Sequence, residues 1–327
     1  MPQVLVIGST GCIGNNIVRA CLDAGWPVRA LHRATSPTWM LDDLPVERVV
    51  GDLADEASLR AAMQGCDLVF HAAAYYPLHS LDRDGSLRAA VRGMRHVLQA
   101  ARQAEVGRLV YTSSLTTIGP TGEPGRLADE GDFYLPGSTG SAYFECKWAM
   151  ESEAWRAAAA GLPLVIVNPT AVFGPWDAKP ATGEILLNVA KGHLPVWLDL
   201  DVNIIDTRDL AQGHLLAAQR GRLGQRYILG GGNYPLRQAL DVTAQEAGVR
   251  PPRRQVSLAL VQRLVRAGEA LGRLPLIPPL PLEHFKTLSE WRALNTEKAR
   301  TELGLQTRPL AETVRDALAW FREHGYL

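Results

Sequence analysis

The sequence predicts an α/β protein: a doubly wound parallel sheet in its first half, followed by a smaller, mostly helical C-terminal part. Three observations carry this expectation. Short apolar runs alternate with helical segments as far as Asn168. The first of those runs leads directly into glycines spaced Gly8-x-x-Gly11-x-x-Gly14. After Asn168 the texture changes to a Pro-, Gly- and Trp-rich stretch and then to further helical segments. Strands alternating with helices imply βαβ units and so a parallel sheet. Continuous Val, Leu and Ile runs, rather than alternating ones, suit a sheet covered on both faces.

The elements follow in order. Val4–Ile7 reads as a strand and Gly11–Ala24 as a helix. Pro27–Leu31 and Val46–Val50 are strands, and Asp55–Gln64 is a helix. Leu68–His71 is a strand, Ser86–Glu105 a helix and Leu109–Thr112 a strand. A long loop runs to Gly140. Ser141–Ala160 is a helix and Pro163–Val167 a strand. Beyond it, Pro169–Pro180 reads as loop, Glu184–Lys191 as a short helix and Pro195–Ile205 as extended chain. Asp209–Gln219 is a helix and Arg226–Leu229 a strand. Pro235–Ala247, Leu258–Leu271, Thr296–Leu303 and Leu310–His324 read as helices, and the Pro-rich stretch Leu274–Leu282 as a lid or strap.

Bulk properties narrow the function classes. The 327 residues balance 34 Lys+Arg against 34 Asp+Glu, without the basic footprint that nucleic-acid binding requires. No run of eighteen apolar residues occurs, so no membrane span is expected. A first strand beginning at Val4 leaves no room for a cleaved signal. Four cysteines without metal-type spacing (Cys12, Cys21, Cys66, Cys146) read as reduced thiols of a cytoplasmic protein, with no metal site.

The chemistry lies in three constellations. The glycine turn joins a strand to a helix, so small residues let backbone N–H groups approach an anion such as a diphosphate at the helix N-terminus. Tyr143 and Lys147, four apart on a helix, share one face. An ammonium beside a phenol stabilises the phenolate, which makes the phenol a usable acid or base near neutral pH. Ser113 and Ser114 follow a strand whose carboxyl end, in a doubly wound sheet, faces the ligand crevice. Taken separately, a bare Tyr-x-x-x-Lys is an ordinary helix surface and a strand-end serine an ordinary turn. In this order, together with the glycine turn, they point to a redox site.

With these residues in place, the chain resembles the extended short-chain dehydrogenase/reductases, the superfamily of NAD-dependent epimerases and dehydratases. Within it the chain is most similar to the dihydroflavonol-4-reductase-like group, which includes hopanoid-associated sugar epimerases. The resemblance rests on Gly8 to Gly14, Gly51-Asp52-Leu53, His71-Ala72-Ala73-Ala74, Tyr111-Thr112-Ser113-Ser114, Tyr143-x-x-x-Lys147, Asn168 to Pro175 and Lys179-Pro180-x-x-Gly183. It implies a Rossmann-like dinucleotide-binding domain over residues 1–168. Residues 169–327 would be mainly substrate-binding, with some segments returning to the core. It implies that Gly8, Thr10, Gly11, Cys12, Ile13 and Gly14 hold the diphosphate. Asp52 and Leu53 would hold the adenine. Ala72, Ala73, Ala74, Thr112, Pro169 and Val172 would border the nicotinamide side. Ser114, Tyr143 and Lys147 would be catalytic, with Tyr143 and Lys147 also touching the cofactor. It also implies a homodimer through the helices around 86–105 and 141–160, where Trp148, Met150 and Trp155 suit an interface.

Cofactor choice follows from charge. An NAD site usually places a carboxylate at the end of the second strand, for the ribose 2′-OH. Here His32 and Arg33 stand there without an acid, and a guanidinium binds a 2′-phosphate in bidentate fashion. NADP is therefore expected, with NAD as the alternative. The chain departs from the family pattern at Ala90, where an Asn is usual. Leu115-Thr116-Thr117 supplies no acid for dehydration. No His precedes Asp209 in Asp206-Thr207-Arg208-Asp209. The reading is an NADP-dependent reductase of a ketone or aldehyde. The alternative is an NAD(P)-dependent sugar or nucleotide-sugar epimerase. Tyr75, Tyr76, His79, Trp176 and Trp197 are candidate pocket residues, and Lys179 and Arg208 candidate anion binders.

Overall fold

The computed structural model describes residues 1–73, 75, 82–261, 263, 267, 287–288 and 290–327. Seven strands form a parallel sheet: β1 (Val4–Ile7), β2 (Val28–His32), β3 (Glu47–Val50), β4 (Leu68–His71), β5 (Arg108–Thr112), β6 (Leu164–Pro169) and β10 (Arg226–Leu229). Their spatial order is β10-β6-β5-β4-β1-β2-β3. The order reverses between β1 and β4, which opens the crevice where doubly wound sheets bind ligands. Both are apolar and fully buried, because helices cover both faces. Val4 and Val6 pack with Ile17 and Val18 of α1 (Cys12–Asp23) and with Leu210 and Leu215 of α6 (Thr207–Arg220). Leu5 and Ile7 point the other way. They join Met94 and Val97 of α3 (Arg83–Gln103) and Met150 and Ala154 of α4 (Ala142–Ala159). Met150 is thus core, only 1% exposed, and is no interface residue. Between β3 and β4 lies α2 (Glu56–Met63), whose N-terminus is capped by the Asp55 carboxylate.

The C-terminal part has its own apolar cluster, built by α5 (Glu184–Ala190), α7 (Leu236–Ala247) and α8 (Leu310–Glu323) around Phe173, Trp291 and Trp320. It also contains strands. The stretch Pro169–Pro180 is not all loop: β7 (Ala171–Phe173) pairs in parallel with β9 (Asp201–Asp206), and β11 (Gly232–Pro235) adds antiparallel on the other side. Glycines and prolines at their ends hide these short strands from a reading by propensity. A two-stranded parallel pair, β8 (Val196–Leu198) with β12 (Arg254–Val256), lies beyond. The chain returns to the large sheet through α6 and β10, which pairs with β6. Near residue 300 the expected helix is a widened turn over Ala299–Leu303, ended by Gly304 in the left-handed region. Residues 258–261 are helical. The rest of the expected helix as far as Leu271 is mostly outside the described residues, as are the strap Leu274–Leu282, Ala74, Tyr76 and His79. No helix among the described residues is long and apolar enough to cross a membrane.

Candidate active site

The crevice begins at the β1–α1 turn. Gly8 sits at φ +89°, and a Cβ there would meet the Ala73 nitrogen at 2.7 Å. A Cβ on Gly14 would meet the Gly8 carbonyl oxygen at 2.1 Å. Both glycines are therefore demanded by backbone packing. Gly11 differs. Its Cβ would find only the Gly8 oxygen, at 3.4 Å, so the protein itself leaves space there. No side chain caps α1 at Gly11, and the helix presents its first turn of N–H groups unpaired by any cap. An uncapped helix N-terminus of this kind, with space beside Gly11, fits the diphosphate of a dinucleotide.

Two adjoining cavities extend from this turn. The first, about 510 Å³, is bordered by Gly8, Thr10, Gly11, His32, Arg33, Asp52, Leu53, Ala72 and Ala73. It also takes in Ser36 and Tyr75. The second, about 280 Å³, is bordered by Cys12, Ile13, Ala72, Thr112, Ser114, Tyr143, Lys147, Pro169 and Val172. Ala72 and Lys179 line both, so the two cavities meet along one cleft. Gly14 lines neither and lies behind the turn. Ala74 is outside the described residues.

The side chains of the second cavity are held from below. Strand alternation splits the two serines after β5. Both border the cavity, but Ser113 donates its hydroxyl inward to Glu151, while the Ser114 Oγ accepts from the Thr116 N–H at 3.2 Å. This separates the two hydroxyls that the sequence offers. Tyr143 and Lys147 lie on one face of α4, whose N-cap is Ser141. The Lys147 ammonium, 4% exposed, donates to the Ser113 carbonyl at 3.3 Å. Burial lowers its pKa to about 8, and Glu151 pulls in the opposite direction. Thr112 Oγ1 lies 2.9 Å from His214 Nε2. His214 Nδ1 faces the Leu210 carbonyl at 2.8 Å, so it carries the proton and Nε2 accepts from Thr112.

Beneath these groups is a buried polar network that sequence reasoning missed. Glu151, one turn beyond Lys147, accepts from Thr117 Oγ1 (2.6 Å), Asn168 Nδ2 (2.8 Å) and Arg226 Nη1 (2.8 Å). Arg226 is 1% exposed and also donates to the carbonyls of Thr117, Glu130 and Asp132. The pair ties α4, β6, β10 and the long loop before α4 into one support. Its sequence signal was the spacing Tyr143-x-x-x-Lys147-x-x-x-Glu151, which extends the helix face by one turn.

A second missed residue is Asp177. It is 6% exposed, lines the second cavity beside Cys12, and burial raises its carboxyl to about 6. The same contact and its own burial push the Cys12 thiol up. Trp176 precedes it at φ +66°, in the left-handed region, with the Arg19 guanidinium 3.3 Å over its ring. Trp176 packs at a tilt against Trp320, and neither it nor Trp197 lines either cavity. Arg208 is engaged by Asp206 and Asp316, both at 2.8 Å, which removes it as an anion binder. Lys179 stays in the cleft. His71 is fully buried against Tyr111, and burial lowers its pKa to about 3, as befits a structural histidine.

The family model for the NAD dependent epimerase/dehydratase family matches residues 4–230. The chain is 40% identical over 328 residues to a putative dihydroflavonol 4-reductase of Synechocystis sp., covering 98% of this chain and 95% of that protein. It is 34% identical to sterol demethylase protein B of Methylococcus capsulatus, with 99% of each covered. The solved structure of a nucleoside-diphosphate-sugar epimerase from Pseudomonas aeruginosa superposes with a TM-score of 0.84 at 31% identity, covering 100% of this chain and 99% of that one. These matches, with the seven-stranded Rossmann-like sheet and its crevice, make the chain a member of the NAD dependent epimerase/dehydratase family, an NAD(P)-dependent enzyme of the extended short-chain dehydrogenase/reductase type.

Proposed function

We propose that the protein is an NADP-dependent reductase of a ketone or aldehyde. The observation that carries this reading is the shared border of the second cavity. Ser114, Tyr143 and Lys147 line it together with Cys12 and Ile13 of the diphosphate turn. A dihydronicotinamide held there would supply the hydride for the carbonyl carbon. Ser114 donates a hydrogen bond to the carbonyl oxygen, and Tyr143 transfers its phenolic proton to that oxygen as charge develops. The product is the alcohol, and Tyr143 is left as phenolate. Lys147, protonated below about pH 8, stabilises the phenolate until solvent returns a proton. Donors aimed at the oxygen lower the barrier most where water is excluded, and Ser114, Tyr143 and Lys147 are each under a tenth exposed.

The NADP preference rests on Arg33, which borders the first cavity with His32 and Ser36 and has no carboxylate beside it at the end of β2. Reductase-named relatives support the direction of reaction: the Synechocystis protein across its length, and a cinnamoyl-CoA reductase of Arabidopsis thaliana at 34% identity over 69% of this chain. A homodimer through the outer faces of α3 and α4 and a cytoplasmic location complete the proposal. Trp148 and Trp155 remain half-buried on α4.

The test is turnover of NADPH against a panel of ketones, aldehydes and dihydroflavonols, by wild type and Tyr143→Phe. Consumption by the wild type alone supports the reading. The epimerase alternative is favoured by the likeness to the Pseudomonas structure. Tightly held NAD in the purified protein, with inversion of a sugar carbon and no net consumption, would establish it and overturn the reductase.

A further inference from the structure

We infer that the face formed by the α7–β12 connection and the end of α5 docks on a bilayer containing anionic lipid. A third cavity, about 420 Å³, opens here between Val189, Leu194 and Val196 on one side and Arg250, Arg253 and Arg254 on the other. These three guanidiniums are exposed. They make no ion pair or hydrogen bond among the described residues, nor does Arg263 a few positions on. Several arginines elsewhere on the surface are engaged, such as Arg95 with Glu153 at 2.9 Å, Arg126 with Asp132 at 2.7 Å and Arg29 with Glu47 at 2.9 Å. The exposed Arg60, Arg88 and Arg92, which are not engaged among the described residues, do not gather at one cavity as Arg250, Arg253 and Arg254 do. Lys191, at the end of α5, is exposed beside the same cavity-lining residue Gly192.

The charge distribution of the chain points the same way. Between residues 248 and 263 the sequence has four arginines (Arg250, Arg253, Arg254, Arg263) and no acid. The whole chain balances at 34 and 34, so the remainder is net acidic. A cationic patch on an otherwise acidic body selects an anionic partner and orients the body away from it. Apolar groups choose among anionic partners. Val196 is 37% and Leu260 48% exposed, next to the arginines in the fold or chain, and Val196 pairs in register with Arg254. Cationic groups around exposed aliphatic ones suit the headgroup–acyl boundary of a bilayer, whereas a nucleic acid offers the aliphatic groups nothing.

The location gives the surface a use. Helix α5 is preceded by its N-cap Gly183, whose neighbour Asp177 lines the substrate cavity, and ends at the arginine-lined one. Seven helical residues span only about 10 Å. A lipophilic carbonyl compound leaving the bilayer at this face would thus be one short helix from Ser114 and Tyr143. This use rests on the reductase reading; the docking itself does not.

The experiment is co-sedimentation of the full-length protein with phosphatidylcholine vesicles, with and without phosphatidylglycerol, over a series of NaCl concentrations. The expected result is partition onto the phosphatidylglycerol vesicles that is at least tenfold stronger than onto phosphatidylcholine alone and falls steeply with salt. The Arg250→Gln/Arg253→Gln/Arg254→Gln variant should lose at least tenfold of that binding while keeping its Tm and its NADPH affinity. The inference is overturned by absence of wild-type partition at low salt, by equal binding to neutral vesicles, by undiminished binding of the triple variant, or by duplex DNA displacing the protein from the vesicles. None of these outcomes depends on turnover, so failure here leaves the redox reading standing.

Discussion

The two ends of the cleft are made of different material. At the turn end the walls are backbone: Gly8, Gly11, Ala72 and Ala73 offer N–H groups and space. At the other end they are side chains: Ser114, Tyr143, Lys147 and Asp177, brought to one cavity from separate elements of the chain. A backbone wall demands glycine, so the sequence announces it. A side-chain wall demands convergence, and only its most characteristic members can be recognised in advance.

The comparison can be broken at either end. The largest effect is expected at the side-chain end. Tyr143→Phe should lower kcat/KM by roughly a hundredfold to ten-thousandfold, the range for loss of a general acid. NADPH affinity, read by fluorescence titration, should stay within a few-fold. At the backbone end, Gly11→Val should cost binding and not folding. Its Cβ meets only one atom, at 3.4 Å, so Tm should hold while dinucleotide binding falls by tenfold or more. Gly14→Ala is its counterpart, because the 2.1 Å approach to the Gly8 oxygen must be relieved by moving backbone. Its Tm should fall measurably.

The support beneath the side chains is the next point of attack. Arg226→Met leaves the Glu151 carboxylate buried without its cation, and breaking such a pair costs about 3–5 kcal/mol by denaturant titration. Glu151→Gln tests charge rather than packing. Lys147 must be protonated to stabilise the phenolate, so kcat/KM should fall as pH rises through about 8. Removing the Glu151 charge, which raises the Lys147 pKa, should move that alkaline limb to lower pH. An unmoved limb would show that Glu151 acts on structure alone.

The first half of the fold was legible because its central strands, such as β1 and β6, are apolar runs bounded by turns. The Ser114, Tyr143 and Lys147 group was legible because its members sit at a strand end and on one helix face. Glu151 and Arg226 were not, since a buried charge looks like a surface charge until its partner, 75 residues away, is placed against it. Asp177 was hidden by a segment whose Pro and Gly content reads as loop. The short strand β7 in the same segment is held by pairing with β9 rather than by its own propensity. Arg208 shows the converse: a plausible anion binder that its own neighbours neutralise.

The smallest effect concerns Asp177. Its carboxyl titrates near 6 in the folded protein, above the unfolded value, so its ionisation opposes folding as pH rises through 6. Asp177→Asn should leave Tm unchanged at pH 4 and raise it slightly at pH 8. It should also tighten NADPH binding a few-fold at pH 8, by removing a negative charge beside the diphosphate turn.

A crystal structure with NADP and a carbonyl inhibitor addresses the side-chain end most directly. The expected density has the 2′-phosphate against Arg33, the diphosphate over Gly11, and the inhibitor oxygen within hydrogen-bond reach of both Ser114 Oγ and the Tyr143 hydroxyl. A nicotinamide ring directed away from Tyr143, or an inhibitor oxygen bonded to neither hydroxyl, would contradict the convergence on which the proposed reaction depends.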